Sequence, residues 1–292
     1  MRKKAPSFYA IEAGPPPRRM ARGWHCLGMT STFDDGAPHK IEAFGTTLVV
    51  FKTESGEFAV LNNFCPHMGA SLADGRVRGE SIACPFHDWR WGADGKCTAI
   101  PYSRRVPPGA RTRAWETLVR NNLLFVWHDP EGYTAPDDVT IPEIPELNTH
   151  YSPWSHSVHR IETNTRELID NMVDVSHFFY VHGHGISGGC SFFGNIFEGH
   201  KAWQFIEIGE RMGHGYDYLK PGAPLDQIGG SRSETCYYGP ATLISRGMSR
   251  DGDDLIENHI LLLQLPVTPD VFDLHMLINV RKRDDLTPAQ NA

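Results

Sequence analysis

The sequence predicts an α+β protein, a small all-β domain followed by a mixed domain of helix and antiparallel sheet. Three observations predict it. From Trp24 to about His128 short apolar segments alternate with Gly and Asp-Gly turns; one helical pattern lies between Thr165 and Val181; and strand-like runs return after it. The 292 residues, with 28 Gly and 21 Pro, suit two domains rich in turns.

In the first part the strand candidates are Trp24-His25-Cys26-Leu27, Leu48 to Phe51, Phe58 to Leu61 and Leu123 to Trp127. Asp129 to Pro145 carries Pro136, Pro142 and Pro145 among acidic residues and reads as an extended connector. The boundary is placed near Pro145, with domains over 22–130 and 146–292. The helix is expected from about Thr165 to Val181, capped by Asn164 or Thr165 and ending before Gly183. Tyr237 to Ser245, Asn258 to Leu265 and Leu274 to Val280 are expected to be strands of one sheet.

A net charge of -7 with interspersed signs argues against a nucleic-acid binder, which needs a dense basic stripe. Apolar runs such as Thr47 to Phe51 and Leu261 to Leu263 are far shorter than the roughly 20 residues that span a bilayer, so no membrane segment is expected. Arg2, Lys3 and Lys4 precede a stretch broken by Pro6, Pro15, Pro16 and Pro17 instead of a signal-peptide core, and a cytoplasmic location is expected.

Six cysteines are too few for a disulfide scaffold, and two of them keep company with histidines. Cys65-Pro66-His67 is followed after 16 residues by Cys84-Pro85-Phe86-His87, so each of two turn-like loops offers one thiolate and one imidazole. Two thiolates can hold one iron of a [2Fe–2S] cluster while two neutral histidines hold the other, which raises the reduction potential. The chemical rival is a structural Cys₂His₂ zinc, although zinc fingers usually pair cysteine with cysteine and histidine with histidine. Cys26, Cys97, Cys190 and Cys236 lack a histidine at ligand spacing and are read as small buried hydrophobes.

A second polar set lies in the helical stretch. Asn171, Asp174 and His177 recur every three positions and share a helical face. His182, five residues after His177, is about 140° around a regular helix, so both reach one metal only if the helix loosens or ends near Gly183. His184 is the competing ligand, but two helical turns, about 10 Å, separate it from His177. Two histidines and a carboxylate on iron leave positions open for O₂ and substrate. Phe178, Phe179 and Tyr180 either line an apolar pocket there or are plain core.

With both sets in hand, the chain resembles the α-subunits of Rieske non-haem iron oxygenases over nearly its whole length, most of all the oxygenase components of 3-ketosteroid 9α-hydroxylases. The resemblance is carried by Ala21-Arg22-Gly23-Trp24-His25-Cys26-Leu27-Gly28, by Cys84 to Gly92, by Leu124 to Asp129, by Ile141-Pro142-Glu143-Ile144-Pro145, by His177 to His182 and by Phe197-Glu198-Gly199-His200. Respiratory Rieske proteins add a disulfide at positions matching Ala70 and Phe86, neither of which is cysteine here.

The resemblance implies an all-β Rieske domain followed by a mononuclear iron domain. Cys65, His67, Cys84 and His87 are then the [2Fe–2S] ligands, His177 and His182 ligands of a mononuclear Fe(II), and Asn171 a residue close to that iron. It also implies a homotrimer in which Asp174 bridges the cluster of one subunit and the iron of the next. Electrons would come from NADH through a flavin and iron–sulfur reductase, and the reaction would be O₂-dependent hydroxylation of a 3-ketosteroid in steroid catabolism.

The main departure is the family's third iron ligand, an aspartate in a segment of roughly F-x-x-D-x-x-I-W form, which does not occur before Ala292. The C-terminal part of the iron domain is therefore expected to be absent, with Asp174 one substitute ligand. Other readings are another bulky apolar ring as substrate, a truncated silent subunit that keeps only its cluster, and a simple electron carrier.

Overall fold

A computed structural model describes residues 19–181, 190–208, 231–251 and 254–287. The described residues form four antiparallel sheets and three α-helices. In chain order the first unit contains β1 (Gly23–Met29), β2 (His39–Ala43), β3 (Thr46–Lys52), β4 (Phe58–Asn62), β5 (Arg76–Arg78), β6 (Ser81–Ala83), β7 (Arg90–Gly92), β8 (Cys97–Ala99), β9 (Ala114–Trp115), β10 (Thr117–Arg120) and β11 (Leu123–His128). They pair as β1-β11-β10, β2-β3-β4-β9 and β5-β6-β7-β8. All four expected strand segments fall inside β1, β3, β4 and β11.

Beyond the connector lie α1 (Leu147–His150), β12 (Ser155–Ile161), α2 (Arg166–Val173), α3 (Val175–Tyr180), β13 (Cys190–Glu198), β14 (Lys201–Ile208), β15 (Ser231–Tyr238), β16 (Thr242–Asp251), β17 (Asp254–Thr268) and β18 (Val271–Val280). Their strands form one seven-stranded sheet in the order β12-β18-β17-β16-β15-β14-β13. The fold is thus α+β, an all-β unit followed by a helix-bearing sheet. No helix among the described residues is long and apolar enough to cross a membrane.

Two expectations are corrected. Tyr237 to Ser245 is not one strand but the end of β15, a turn and the start of β16. Gly239 takes φ +73°, which suits a residue without Cβ, and Pro240 has no N–H to extend a ladder. Likewise the helix expected from Thr165 to Val181 is two helices. Asn164 does cap the first, its side chain accepting the Arg166 N–H at 3.0 Å. At Asp174, however, the backbone becomes extended (φ -81°, ψ 91°), and the carboxylate accepts the Ser176 N–H at 3.0 Å to cap α3. Asn171 and His177 therefore stand on different helices and do not share one helical face. The loosening expected near His182 and Gly183 lies outside the described residues.

The connector carries no regular element from Asp129 to Pro145 but is anchored through Ile141 and Ile144, both buried. These pack with Trp24, Phe125 and Trp127 of the first unit and with Ile244, Leu261 and Leu277 of the large sheet in one core. Polar contacts join the same units. Phe44 and Gly45 donate backbone N–H groups to the Pro266 and Val267 carbonyls, each at 2.8 Å, and Thr242 Oγ1 donates to the Trp24 carbonyl at 3.1 Å.

Burial of histidine leaves a pH signature. His275 of β18 stacks on His156 of β12 at 5.3 Å and bonds it through ring nitrogens 3.1 Å apart. Burial pushes the His275 pKa down from 6.5 to about 4, with a smaller push from His156. The unfolded chain binds more protons between those values, so this contribution is complete above pH 6.5 and lost as pH falls through about 4. A loss on the order of 3 kcal/mol across that window is expected. Urea unfolding against pH checks it, and His275→Gln should flatten the slope.

Candidate metal centres

The two Cys-His loops are built alike. β4 runs out of the β2-β3-β4-β9 sheet into Cys65, and β6 runs out of the β5-β8 sheet into Cys84. In each loop the cysteine N–H donates to a carbonyl five residues on, Cys65 to Ala70 at 2.8 Å and Cys84 to Trp89 at 2.9 Å. The residue before that acceptor returns a bond to the cysteine carbonyl, Gly69 at 2.8 Å and Asp88 at 3.0 Å. Both returning residues need positive φ, +77° at Gly69 and +57° at Asp88. Asp88 adopts it with its carboxylate held by Arg76 at 2.7 Å and Arg90 at 3.1 Å.

Cys65 and Cys84 belong to one buried core with Val49, Leu61, Ile82 and Trp91. Both cysteines are 2% exposed, whereas His67 is exposed and His87 half-buried. The rings of His67 and His87 meet edge to face at 4.9 Å, and His67 stacks on Trp89 at 4.4 Å. Trp89 is fixed in turn by donating its indole N–H to Tyr102 Oη at 2.6 Å. Burial raises the Cys65 thiol pKa, and the neighbouring Cys84 adds to that rise. Two adjacent buried thiols ionise readily only beside positive charge, which a metal supplies.

The donor set fits a two-metal cluster, with sulfur inside and imidazole outside. His87 Nδ1 is buried with no hydrogen-bond partner, a nitrogen whose lone pair is left for a metal. Among the described residues no three or more Cys, His, Asp or Glu surround a single point as one ion requires. The other expected cysteines Cys26, Cys97 and Cys236 are buried, and the side chain of Cys190 lies outside the described residues.

The second set is only partly described. The Asp174 carboxylate is exposed at the start of α3, and His177 Nδ1 bonds the Asp174 carbonyl. With Nδ1 as donor, Nε2 is the ring nitrogen that carries the lone pair. The Asn171 side chain, His182 and the competing His184 lie outside the described residues, as do the side chains of Phe178 and Phe179, while Tyr180 is exposed. Asp170 of α2 acts on Tyr237 of β15, whose phenol pKa burial and that carboxylate both raise. Asp170 of α2 is thus close enough to the Tyr237 side chain to act on it. A cavity of about 560 Å³, bordered by Ile144, Trp203, Cys236 and Tyr238, opens on the opposite face and is lined by none of the described candidate ligands.

Sequence reasoning did not single out Trp91, Tyr102 or the Asp88 turn as parts of the first site. The signal was present in Asp88-Trp89-Arg90-Trp91, where two indoles follow a ligand loop on alternate positions.

Comparison with known proteins agrees with this geometry. Residues 23–110 match the Rieske [2Fe-2S] domain and residues 126–292 the 3-ketosteroid 9alpha-hydroxylase C-terminal domain. A 3-ketosteroid-9-alpha-monooxygenase oxygenase component of Rhodococcus rhodochrous is 45% identical over 283 residues, which is 96% of this chain and 72% of that relative. Its counterpart in Mycobacterium tuberculosis is 44% identical over 93% of this chain and 69% of its own length. Among solved structures, Pseudomonas putida CBB5 NdmA with caffeine superposes with TM-score 0.70 at 17% identity, covering 92% of this chain and 77% of that one. Apo dicamba monooxygenase gives 0.67 at 16%, covering 94% and 80%. At such identities the structures show the fold alone.

The loops leave no room behind them. A Cβ on Gly75 would lie 2.2 Å from the Ala83 carbonyl oxygen and 2.9 Å from that of Leu72. Gly75→Ala is therefore expected to displace the strand end that carries Cys84 and to lower iron and acid-labile sulfide per chain. Visible absorbance and metal analysis check this, with far-UV circular dichroism near the parent's as the sign that the sheets persist.

Proposed function

The chain belongs to the 3-ketosteroid-9-alpha-monooxygenase oxygenase-component family, and from that premise we propose that it hydroxylates a 3-ketosteroid as the oxygenase half of a two-component Rieske monooxygenase. The observation that carries the reading is 45% identity extending over 96% of the chain, through both halves of the fold. A bare electron carrier would need only the first half.

When bound, the [2Fe–2S] cluster relays single electrons and a mononuclear iron with open positions supplies O₂ activation. This chain's residues hold and place those groups. Cys65 and Cys84 would hold the cluster from the dry core, and His67 and His87 would hold it from the surface. Trp89, itself tied to Tyr102, keeps the His67 ring in plane. His177 and His182 are the proposed histidine ligands of the iron, with Asn171 beside it. Asp174 is proposed as the bridge between centres, because its exposed carboxylate stands three residues from His177 at a fixed helix start.

The partners proposed are a flavin and iron–sulfur NADH-dependent reductase, and two further copies of the chain in a homotrimer. Exposed Phe64, Met68, Phe86 and Tyr102 rim the cluster loops, an apolar surface suited to burial against another subunit. The domain limits 22–130 and 146–292 and a cytoplasmic location, where NADH is at hand, belong to the same proposal.

His177→Ala is expected to reduce steroid-dependent O₂ consumption at least a hundredfold and to remove about one iron per chain, with the visible Rieske spectrum intact. Oxygen-electrode assays beside iron analysis check it. Loss of the spectrum together with the activity would contradict two separate sites.

A further inference from the structure

The cavity between the connector and the large sheet belongs to neither metal centre. Its volume of about 560 Å³ is of the size that takes a small organic molecule. The floor is the face of β14 to β17 that carries Trp203, Cys236, Ile244 and His259, and the roof is the connector from Pro142 to Glu146.

The charged side chains around the cavity are already engaged. Arg246 donates to Glu257 at 2.9 Å, Arg281 reaches Glu257 at 3.4 Å and Glu146 at 3.6 Å, and Glu143 takes Arg120 at 3.0 Å. What remains is an apolar bed with one polar group towards each end. On β14 the Trp203 indole N–H is buried with no hydrogen-bond partner, its ring edge-on to Tyr238 at 6.2 Å. A buried donor without an acceptor is costly, and a ligand oxygen would supply one. On β17 His259 offers the reverse. Asn279 Oδ1 accepts both the His259 backbone N–H and its Nδ1–H, each at 3.2 Å, which leaves the lone pair on Nε2. Burial pushes the His259 pKa below its ordinary value and so favours the neutral ring that can accept. Three strand spacings, about 14 Å along the sheet, separate β14 from β17.

We propose that this cavity binds a rigid, largely apolar ring molecule with a carbonyl at one end and a hydroxyl at the other, the carbonyl accepting from the Trp203 indole N–H and the hydroxyl donating to His259 Nε2. Rigidity matters because a stiff skeleton reaches both groups without the ordering cost of a flexible chain. A hydroxylated 3-ketosteroid belongs to this class, so the cavity is a holding site for the product of the proposed reaction. That identification rests on the proposed function; the binding chemistry does not.

The test is fluorine NMR of the full chain labelled with fluorotryptophan and titrated with testosterone, whose ring carbonyl and hydroxyl stand at opposite ends. The Trp203 resonance is assigned with W203F, or with Y238F, which perturbs the neighbouring ring, should W203F fail to fold. The expected result is a Trp203 shift that saturates with testosterone at least tenfold more tightly than with progesterone, whose methyl ketone cannot donate. His259→Phe should remove that difference. A Trp203 resonance unmoved by testosterone, or equal affinities for the two steroids in the parent, overturns the proposal. Steroid-dependent O₂ uptake without the shift removes the cavity site alone. The shift without O₂ uptake removes the proposed function and leaves the cavity site standing.

Discussion

The packing of the β3-β4 ladder against the β6-β7 hairpin is the constraint on which the metal site depends. Val49 and Leu61 from one sheet and Ile82 and Trp91 from the other form a single dry core, and the two cysteines leave its edge at the ends of β4 and β6. Sulfur is thereby kept away from water while the histidines, two and three residues further on, emerge at the surface. The short loops are held by equivalent main-chain bonds, so the cysteine positions follow from the sheets and not from the metal. Such preformed geometry limits the reorganisation that accompanies electron transfer.

A second constraint ties this small unit to the large sheet. Trp24 and Cys26 of β1 share a core with Ile244, Leu261 and Leu277, and Leu265 of β17 enters the core that holds Leu48 and Val50. The connector lies between them with Ile141 and Ile144 buried. The Asn121 side chain holds it, accepting the Ile144 N–H at 2.8 Å and donating to the Pro142 carbonyl at 3.0 Å. Asn121 and Asn122 have positive φ, which asparagine tolerates better than most residues. The first unit, the connector and the large sheet thus share packed cores.

The first site was legible because its information is local. Cysteine and histidine at fixed spacing in turn-rich sequence has few chemical meanings, and strands flanked by Gly and Asp-Gly turns declare themselves. The helix break at Asp174 was not legible from periodicity, since Asn171, Asp174 and His177 recur as a continuous helix would have them. The competing interaction was the local bond from the Asp174 carboxylate to the Ser176 N–H. β12 escaped notice because Ser155, His156, Ser157, Val158, His159 and Arg160 bury little and show no apolar alternation; the strand forms because it pairs along β18.

The central claim is that one chain holds a cluster with chemically unlike irons and a separate mononuclear iron. Mössbauer spectroscopy of ⁵⁷Fe-enriched, reduced protein tests it most directly. The account predicts a ferrous component at the histidine-ligated cluster site, a ferric component at the cysteine-ligated site, and a further high-spin ferrous component that grows and is lost independently of those two. Two equivalent cluster irons, or iron in a single sulfur-and-nitrogen environment with no other component, would contradict it.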